Sequence, residues 1–235
     1  NDKTIDIRSN CIKFHSLCDS NQIPLEVKLD NLFNKKENGL FVDVGAHDGI
    51  MQSNTYFLEY QRNWNGILIT PNKDKFESCK INRPKCISQC YACVGPQYKS
   101  NKIQGDFWRL GGSIDGVRNK SKQMETVDCM RLTDILNSNF LDVQMDYNKD
   151  MRTDIDLLKI DTGAHEYQIL CGLDFTKYKP KYILVEILSN EYTKIVKHLL
   201  KNGYKLECNF SNYNKQQNKR WDGSHNDFLF ALIKK

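Results

Sequence analysis

The acids and glycines that follow the apolar run LFVDV have the types and spacing of a ligand-binding turn. Asp43 lies near the end of this run, and the segment GAHDG that follows places Asp48 between Gly45 and Gly49. Glycine allows a ligand to approach the backbone closely. The apolar positions after the turn predict a helix, and the first N–H groups of a helix have no partner within it.

The charge of this turn narrows the class of ligand. Its spacing differs from the G-x-G-x-x-G pattern of dinucleotide-binding sites, and two carboxylates would repel a pyrophosphate. They suit a ligand that carries an ammonium or a sulfonium group, and S-adenosylmethionine carries both. A glycine turn that serves only backbone geometry is the alternative. The predicted ligand contacts in the turn are Asp43, Gly45, Ala46, His47, Asp48 and Gly49.

Polar residues also lie at or next to the ends of three later apolar runs, GILIT, IDLLKID and KYILVEI. Ligands of open parallel sheets bind in the crevice outside the carboxyl ends of the strands. Thr70 with Pro71, Asp161 and Glu186 are therefore candidates for the same site. Glu186 belongs to an apolar strand and lies near its end, which favours a functional role over a place on a solvated face.

Asp161 is the first candidate for a general base or for a group that orients an acceptor. His165 is the second, because its side chain titrates near neutral pH, although it is compatible with an ordinary surface histidine. Asp161 can equally cap the helix predicted after it, and Glu166 can complement the dipole of that helix. A divalent metal held by Asp161, Glu166 and Glu186 is a further alternative, but no spacing is diagnostic of one and we predict none.

Apolar runs of strand length alternate with helical patterns along the chain. This alternation predicts an α/β fold with right-handed crossovers, a mainly parallel sheet and helices on both faces. The last two strand candidates, YKLECNF and DFLFALI, have no helix between them and are expected to run antiparallel. No linker-like segment divides the chain, so we expect one domain over residues 1–235, with a helical lead-in over residues 1–38.

Residues 95–125 contain several glycines and few periodic apolar residues. They are predicted to form an insertion or an acceptor-site loop, because long loops usually have a function. Within this segment, Trp108 is suited to stacking on a sugar ring, and Arg109 is suited to binding hydroxyl or phosphate groups. A surface loop with one buried aromatic residue is the alternative.

The composition is that of a soluble globular protein, with 40% hydrophobic and 27% charged residues and a net charge of +5. The lysines are spread along the chain, so nucleic-acid binding is not indicated. No apolar run is long enough to span a bilayer, and the first residues lack the apolar segment of a signal peptide. We expect a cytoplasmic protein that does not associate with membranes.

The nine cysteines are an odd number, and most lie in apolar segments, which favours free thiols in a reducing cytosol. Cys79, Cys86, Cys90 and Cys93 lie close enough in sequence to suggest a zinc site. They lack the close couples on turns that structural zinc sites use. The run from Cys86 to Val94 is instead predicted to be a strand, in which cysteine acts as a small hydrophobic residue.

The chain resembles the FkbM family of S-adenosylmethionine-dependent O-methyltransferases in motifs spread from about Leu40 to Phe230. The segments that carry the resemblance are FVDVGAHDGIMQSNTYFLE, WNGILITPNKDKFESCKINR, VDCMRLTDIL, IDLLKIDTGAHEYQILCGLDFTKYKPKYILVE and HNDFLF. The resemblance implies a Rossmann-like class I methyltransferase fold with seven strands, the last of them antiparallel. It also implies S-adenosylmethionine as cofactor and, as acceptors, hydroxyl groups of sugars, glycans or small metabolites.

The resemblance further implies roles for matched positions. Asp43, Gly45 and Asp48 would surround the methionine part of the cofactor, the end of the second strand would meet the ribose, and Asp161 would lie near the transferable methyl group. The chain departs from the family pattern at the second strand, where Thr70 replaces a glutamate that accepts both ribose hydroxyls.

The second departure follows the fourth strand. The family pattern there is D-x-E-G-x-E, whereas this chain reads DTGAHE. Asp161 and Glu166 remain, but Gly163 and Ala164 replace the middle glutamate and its glycine. A charge-assisted hydrogen bond contributes about 1.5 to 3 kcal/mol, so the loss of the glutamate at position 70 is expected to weaken cofactor binding roughly tenfold to a hundredfold.

Three functional hypotheses follow. The first is an O-methyltransferase acting on a sugar, a glycan or a small metabolite. The second is a catalytically degenerate domain that keeps the fold as a binding or scaffold module of a larger protein. The third is an RNA 2'-O-methyltransferase, which ranks last because that chemistry generally needs a lysine on the helix after the fourth strand and AHEYQILCGL contains none.

Overall fold

The computed structural model describes residues 16–108, 113–114, 123–144, 154–216, 219 and 221–233. The strands in this part of the chain are β1 (Leu40–Val44), β2 (Asn65–Ile69), β3 (Ile87–Gln89), β4 (Ala92–Val94), β5 (Lys102–Gly105), β6 (Glu125–Arg131), β7 (Leu157–Ile160), β8 (Tyr182–Leu188), β9 (Tyr204–Asn209) and β10 (His225–Leu232). The helices are α1 (Leu25–Leu32), α2 (Tyr56–Arg62), α3 (Lys73–Asn82), α4 (Leu132–Gln144), α5 (Glu166–Cys171) and α6 (Tyr192–Lys201).

Seven strands form the main sheet, in the order β3-β2-β1-β7-β8-β10-β9. In this sheet the neighbours among β3, β2, β1, β7 and β8 pair in parallel. β10 runs antiparallel to both β8 and β9. The predicted seven-stranded, mainly parallel sheet with an antiparallel last strand is confirmed. β1 and β7 are central neighbours although β7 comes much later in the chain, so the carboxyl ends of β1, β2 and β7 share one edge of the sheet.

The buried residues of the main sheet alternate between two cores, one on each face. Helices α4, α5 and α6 cover the face with Val42 and Ile160. Helices α1, α2 and α3 contribute to the core on the opposite face, with Phe41 and Leu157. None of the helices in the described part of the chain has the length and hydrophobicity needed to cross a bilayer.

A smaller sheet, in the order β4-β6-β5, lies outside the main one. The prediction of a single strand from Cys86 to Val94 is therefore only partly correct. Ile87–Gln89 pairs with β2, whereas Ala92–Val94 pairs with β6. The chain leaves the main sheet between them. Ala92 and Val94 are buried in a separate small core that includes Ile103 and Cys129, whereas Cys93 packs in the core of the main sheet.

The segment predicted to be a loop, residues 95–125, contains strand β5, which pairs antiparallel with β6. Its residues alternate between exposed and buried, with Ile103 and Gly105 inward. A strand this short, with a glycine at one of its two inward positions, leaves only one apolar side chain for a periodicity analysis to detect.

Candidate functional site

A cleft with about 890 Å³ of empty space, its open mouth included, lies at the carboxyl ends of β1, β2 and β7. Its lining comes from the turn after β1, the end of β2, the start of the small sheet and the turn after β7. The residues are Asp43, Val44, Gly45, Ala46, His47, Met51, Gln52, Ser53, Ile69, Thr70, Pro71, Tyr91, Ala92, Cys93, Phe107, Ile114, Lys159, Asp161, Thr162, Gly163, His165 and Ile169. The cleft is therefore acidic at the strand ends and apolar towards the small sheet.

Gly45 lets the turn after β1 lie directly against the end of β7. Its φ is +94°, and a Cβ atom there would lie 1.8 Å from the backbone oxygen of Asp161. The N–H of Asp161 in turn donates to the oxygen of Val44 at 3.0 Å. No side chain larger than that of glycine fits at position 45.

Asp43 forms the buried acidic floor of the cleft, with 1% of its surface exposed. Its Oδ2 accepts a hydrogen bond from Thr55 Oγ1 at 2.8 Å, which joins β1 to the start of α2. Its Oδ1 accepts no hydrogen bond within the described structure, although Lys159 Nζ lies 3.4 Å away. One oxygen of this carboxylate is therefore fixed by the fold, and the other has a single cationic neighbour.

Asp48 and Gly49 do not line the cleft. Asp48 Oδ1 accepts hydrogen bonds from the N–H groups of Ile50 and Met51, at 3.0 and 2.7 Å. Burial opposes the ionisation of Asp48, but these bonds outweigh it and lower its pKa. Gly49 has a φ of +83° and lies against Arg83. Both residues shape the turn, whereas Asp43, Gly45, Ala46 and His47 line the cleft.

His47 is held in the turn at a φ of +51°. Its backbone oxygen accepts a hydrogen bond from Cys79 Sγ at 3.1 Å. Burial, and then the charge of Lys75, lower the pKa of His47 despite the nearby Asp48. The imidazole is therefore neutral at neutral pH and adds no positive charge to the acidic end of the cleft.

Thr70 and Pro71 lie where β2 ends and line the cleft. Thr70 is 3% exposed, and its N–H donates to the oxygen of Gln89 at 3.0 Å. This hydrogen bond to the last residue of β3 fixes Thr70 at the edge of the cleft, directly after β2. A single hydroxyl is all that this residue offers to a ligand.

Asp161 and His165 both line the cleft, and each has a side chain able to accept a proton. The side chain of Asp161 is 37% exposed, and its Oδ2 lies 3.4 Å from Lys159 Nζ. His165 directly precedes α5, and its ring packs edge to face against Tyr98, with 5.6 Å between the centroids. The structure therefore brings the first two candidates for proton transfer into the cleft that contains Asp43.

Glu166 and Glu186, the other two candidates for catalysis, do not line the cleft. Glu166 Oε1 accepts hydrogen bonds from the N–H and Oγ1 of Thr162 and from the N–H of Ala164, at 2.8, 3.1 and 3.3 Å. Burial raises the pKa of Glu166, and the bonds from Thr162 offset part of this effect. Glu186 Oε1 lies 3.2 Å from His225 Nε2. Glu166 therefore organises the turn after β7, and Glu186 belongs to a neighbouring polar group.

The described residues contain no group of three acids, histidines or cysteines arranged to hold a metal ion. Eight of the nine cysteines lie in the described part of the chain, and none of these eight forms a disulfide. Cys93 lines the cleft, and Cys79 contacts its turn through His47. Burial raises the pKa of Cys79 and of Cys86 to about 12. These two thiols are therefore protonated and act as small packing groups.

Of the two residues predicted for acceptor binding, Trp108 lies in the described part of the chain. Trp108 is 52% exposed and does not line the cleft, whereas the preceding Phe107 does. Arg109 lies outside the described residues. Ile114, which forms a β-bridge with Gly105, adds a second apolar side chain next to Phe107 in the lining.

Two charged residues, Lys159 and Arg83, organise the site although they were not among the candidates predicted from the sequence. Lys159 lies in β7 between Asp43 and Asp161, and a lysine inside the apolar run IDLLKID was the available signal. Arg83 is fully buried after α3 and pairs with Glu59. Its Nη1 donates to the oxygen of Gly49 at 2.9 Å, so it fixes the end of the turn after β1.

A sequence profile described as the methyltransferase FkbM domain matches residues 43–206. A search of curated proteins found no significant match.

Solved structures that are similar to this chain include three that are described as methyltransferases. The methyltransferase FkbM from Methylobacillus flagellatus KT is 13% identical, with a TM-score of 0.49, and the alignment covers 83% of this chain and 44% of that one. A TehB-like SAM-dependent methyltransferase from Corynebacterium glutamicum is 8% identical, with a TM-score of 0.46, and covers 96% and 94%. The precorrin-6y C5,15-methyltransferase from Geobacter metallireducens is 11% identical, with a TM-score of 0.46, and covers 89% and 87%.

Proposed function

This chain belongs to the FkbM methyltransferase family, whose cofactor is S-adenosylmethionine, and on that premise we propose that it methylates a hydroxyl group of a sugar, a glycan or a small metabolite. One observation carries the proposal. Asp161 and His165, which can each accept a hydroxyl proton, line the same cleft as the buried acid Asp43. A site for a cationic ligand and a site for proton removal are thus continuous.

The residues of the cleft fit S-adenosylmethionine in charge and shape. Asp43 Oδ1 is buried and accepts no hydrogen bond from the described residues, which suits a cationic group of the ligand. Gly45 lets the turn after β1 lie against the end of β7, which brings Asp43 and Asp161 to the same cleft. Ala92, Phe107 and Ile114 give the cleft an apolar wall suited to a flat aromatic base. Asp43, Gly45, Ala46, His47, Thr70 and Pro71 would hold the cofactor.

When bound, S-adenosylmethionine supplies an electrophilic methyl group on a positively charged sulfur. The protein has to align a hydroxyl oxygen with that methyl group and accept the hydroxyl proton. Asp161 is the proposed base because its carboxylate is partly exposed on the cleft. His165 is the second candidate, since it lines the same part of the cleft at the start of α5.

The acceptor would enter past the segment that includes Phe107 and Trp108. Trp108 is half exposed and directly follows a lining residue, so it is available to stack on a sugar ring. This arrangement supports a cyclic hydroxyl compound as acceptor. Arg109, which follows Trp108 in sequence, is the proposed partner for hydroxyl or phosphate groups of the acceptor.

A methyl-transfer assay tests the proposal. The purified chain is incubated with methyl-labelled S-adenosylmethionine and a panel of sugars, glycans, hydroxylated small metabolites and RNA oligonucleotides. We expect label in a methyl ether of at least one acceptor that is not RNA. Asp161→Asn keeps the size of the side chain but removes its basicity, and should lower the transfer rate by roughly 10²- to 10⁴-fold if Asp161 is the base.

His165→Gln provides the matched comparison for the second candidate. If this variant loses the rate and Asp161→Asn keeps it, the base is His165 and the assignment of Asp161 is wrong. Transfer to RNA alone would replace the proposed acceptor class. Cofactor binding without transfer to any hydroxyl compound in the panel would favour the degenerate binding module over an active enzyme.

A further inference from the structure

Lys159 is a charged residue in the centre of the main sheet. It lies in β7, its side chain is 4% exposed, and its Cα is in register with that of Asp43 on β1. Adjacent residues on neighbouring parallel strands project to the same face. The ammonium of Lys159 is therefore directed at the acidic floor of the cleft by the strand pairing itself.

The ammonium is shared between two carboxylates of the site. Lys159 Nζ lies 3.4 Å from Asp43 Oδ1 and 3.4 Å from Asp161 Oδ2. A third carboxylate, Asp227 on β10, contributes to the local field. Burial opposes the charge on Lys159, but Asp43, Asp161 and Asp227 outweigh it and raise its pKa. Lys159 thus remains a cation between one residue proposed to bind the cofactor and one proposed to accept the proton.

The charges of Lys159 and the acids around it affect how strongly the cleft binds a positively charged cofactor. Lys159 supplies one ammonium group against three carboxyl groups, those of Asp43, Asp161 and Asp227. Negative charge stabilises the sulfonium of the bound cofactor, but that positive charge disappears during methyl transfer. An interaction that stabilises the bound substrate but is lost in the transition state raises the activation barrier and so slows the reaction. A fixed cation beside the acids reduces this excess stabilisation.

On the basis of the proposed function, we propose that Lys159 is a positioning residue that holds Asp43 and Asp161 in place and limits the preference of the cleft for S-adenosylmethionine over S-adenosylhomocysteine. S-adenosylmethionine carries one more positive charge than S-adenosylhomocysteine, because only the former has a sulfonium. The difference between their affinities therefore measures the charge that the cleft presents. Damage to the fold would weaken both ligands and leave their ratio nearly unchanged.

The test is calorimetric titration of both compounds into the wild type, Lys159→Met and Lys159→Arg. Loss of the cation in Lys159→Met should raise the preference for S-adenosylmethionine by about tenfold, the effect of one unit charge several ångströms away at an effective dielectric constant near 20. Lys159→Arg keeps the charge and should keep the wild-type ratio. An unchanged ratio in Lys159→Met, or an equal shift in Lys159→Arg, overturns the proposal.

Lys36→Met is the matched control. Lys36 also pairs with a buried acid, Asp156, at 2.6 Å, but Asp156 precedes β7 and so lies at the opposite end of that strand from the cleft. The same substitution there should leave the ratio unchanged. A shift as large as that of Lys159→Met would show that any lysine loss has this effect, and would contradict a local role.

Asp227→Asn removes a negative charge from the same group, whereas Lys159→Met removes a positive one. This variant therefore tests the proposal even if Lys159→Met does not fold. Asp227 is buried and does not line the cleft. Burial and then Asp161 raise its pKa to about 6, so it is ionised well above that pH. In this range Asp227→Asn should lower the preference for S-adenosylmethionine several-fold. A higher or unchanged preference would overturn the proposal.

The outcomes separate this inference from the proposed function. If the wild type binds neither ligand, the proposed function is wrong because it requires the chain to bind S-adenosylmethionine. If the wild type binds both and the ratio does not respond to the charge at position 159, the role of Lys159 is wrong while the cofactor site remains.

Discussion

A substitution at Thr70 shows whether the departure from the family pattern has weakened cofactor binding or is offset by another contact. Thr70 lines the cleft at the end of β2 with one hydroxyl. If the ribose hydroxyls lie against it, Thr70→Glu supplies a paired anionic acceptor. We expect binding of S-adenosylhomocysteine to tighten by roughly 1 to 3 kcal/mol, the value of hydrogen bonds to a charged group, as measured by titration calorimetry.

Thr70→Gln is the control, because it matches the length of glutamate without its charge and should recover only part of the gain. Weaker or unchanged binding in Thr70→Glu would mean that the pocket already uses another contact for the ribose. The cofactor would then be held differently from the family pattern at this strand.

Glu26 predicts a pH dependence of stability away from the cleft. It lies in the first turn of α1 with 1% exposure, and burial raises its pKa from 4.5 to about 7. A carboxyl group whose pKa is higher in the folded state binds protons more tightly when folded. Ionisation of Glu26 therefore destabilises the folded state relative to the unfolded state. This destabilisation is absent below pH 4.5, grows as the pH rises and is complete above pH 7. Its size is roughly 3 kcal/mol.

Glu26→Gln removes this titration. We expect the variant to exceed the wild type in unfolding free energy above pH 7 and to show no such advantage below pH 4.5. Urea unfolding of both proteins at one pH on each side of this range measures the difference. A constant difference between the two proteins across the range would show that Glu26 does not titrate within it.

Individual site residues were predictable where strand ends and charge gave the signal. Asp43, Asp161 and His165 were predicted from sequence and line the cleft. Asp48 and Glu166 carry the same residue-type signal, but their oxygens accept backbone N–H groups of their own turns. Sequence does not distinguish a carboxylate that faces a ligand from one that closes a turn, since both favour the same positions.

At the level of elements, the contact between the turn after β1 and the end of β7 depends on Gly45. Gly45→Ala adds a Cβ that would overlap the backbone oxygen of Asp161, on top of strain at a φ of +94°. We expect a loss of more than about 3 kcal/mol in unfolding free energy and no detectable binding of S-adenosylhomocysteine. Denaturant unfolding and calorimetry provide the two measurements.

Gly203 offers a matched control for this substitution. Its φ is +87°, close to that of Gly45, but a Cβ atom there would meet nothing within 4 Å. Gly203→Ala should therefore cost only the strain of a left-handed residue, about 1 to 2 kcal/mol, and leave ligand binding intact. Equal effects of the two substitutions would show that the contact with Asp161 is unimportant.

Most elements of the main sheet were predictable because each combines an apolar run with a turn signal. The turn after β7 shows the limit of this approach. Ala164, where the family pattern has glycine, has a φ of +90°, and the adjacent Gly163 has a φ of +66°. The backbone thus keeps a conformation that disfavours alanine, and hydrogen bonds to Glu166 hold it. A sequence pattern reports the substitution but not the conformation that persists.

Over the whole molecule, the strand order creates a row of buried polar residues that no single segment indicates. Asp43, Lys159, Glu186 and Asp227 lie on successive strands β1, β7, β8 and β10. Asp43 is in register with Lys159, and Asp227 with Glu186. The sequence predicts parallel and antiparallel strands, but their lateral order depends on long-range packing, so the row becomes visible only in the fold.

The most direct test of the central claim is calorimetric titration of S-adenosylhomocysteine into the full chain and into Asp43→Asn, a variant that keeps the shape of the buried floor. We predict uptake of one ligand per chain by the wild type. Loss of the anionic acceptor should weaken binding in the variant by at least about tenfold. The absence of uptake by the wild type at millimolar ligand, or equal binding by the two proteins, would contradict a cofactor site at the junction of β1 and β7.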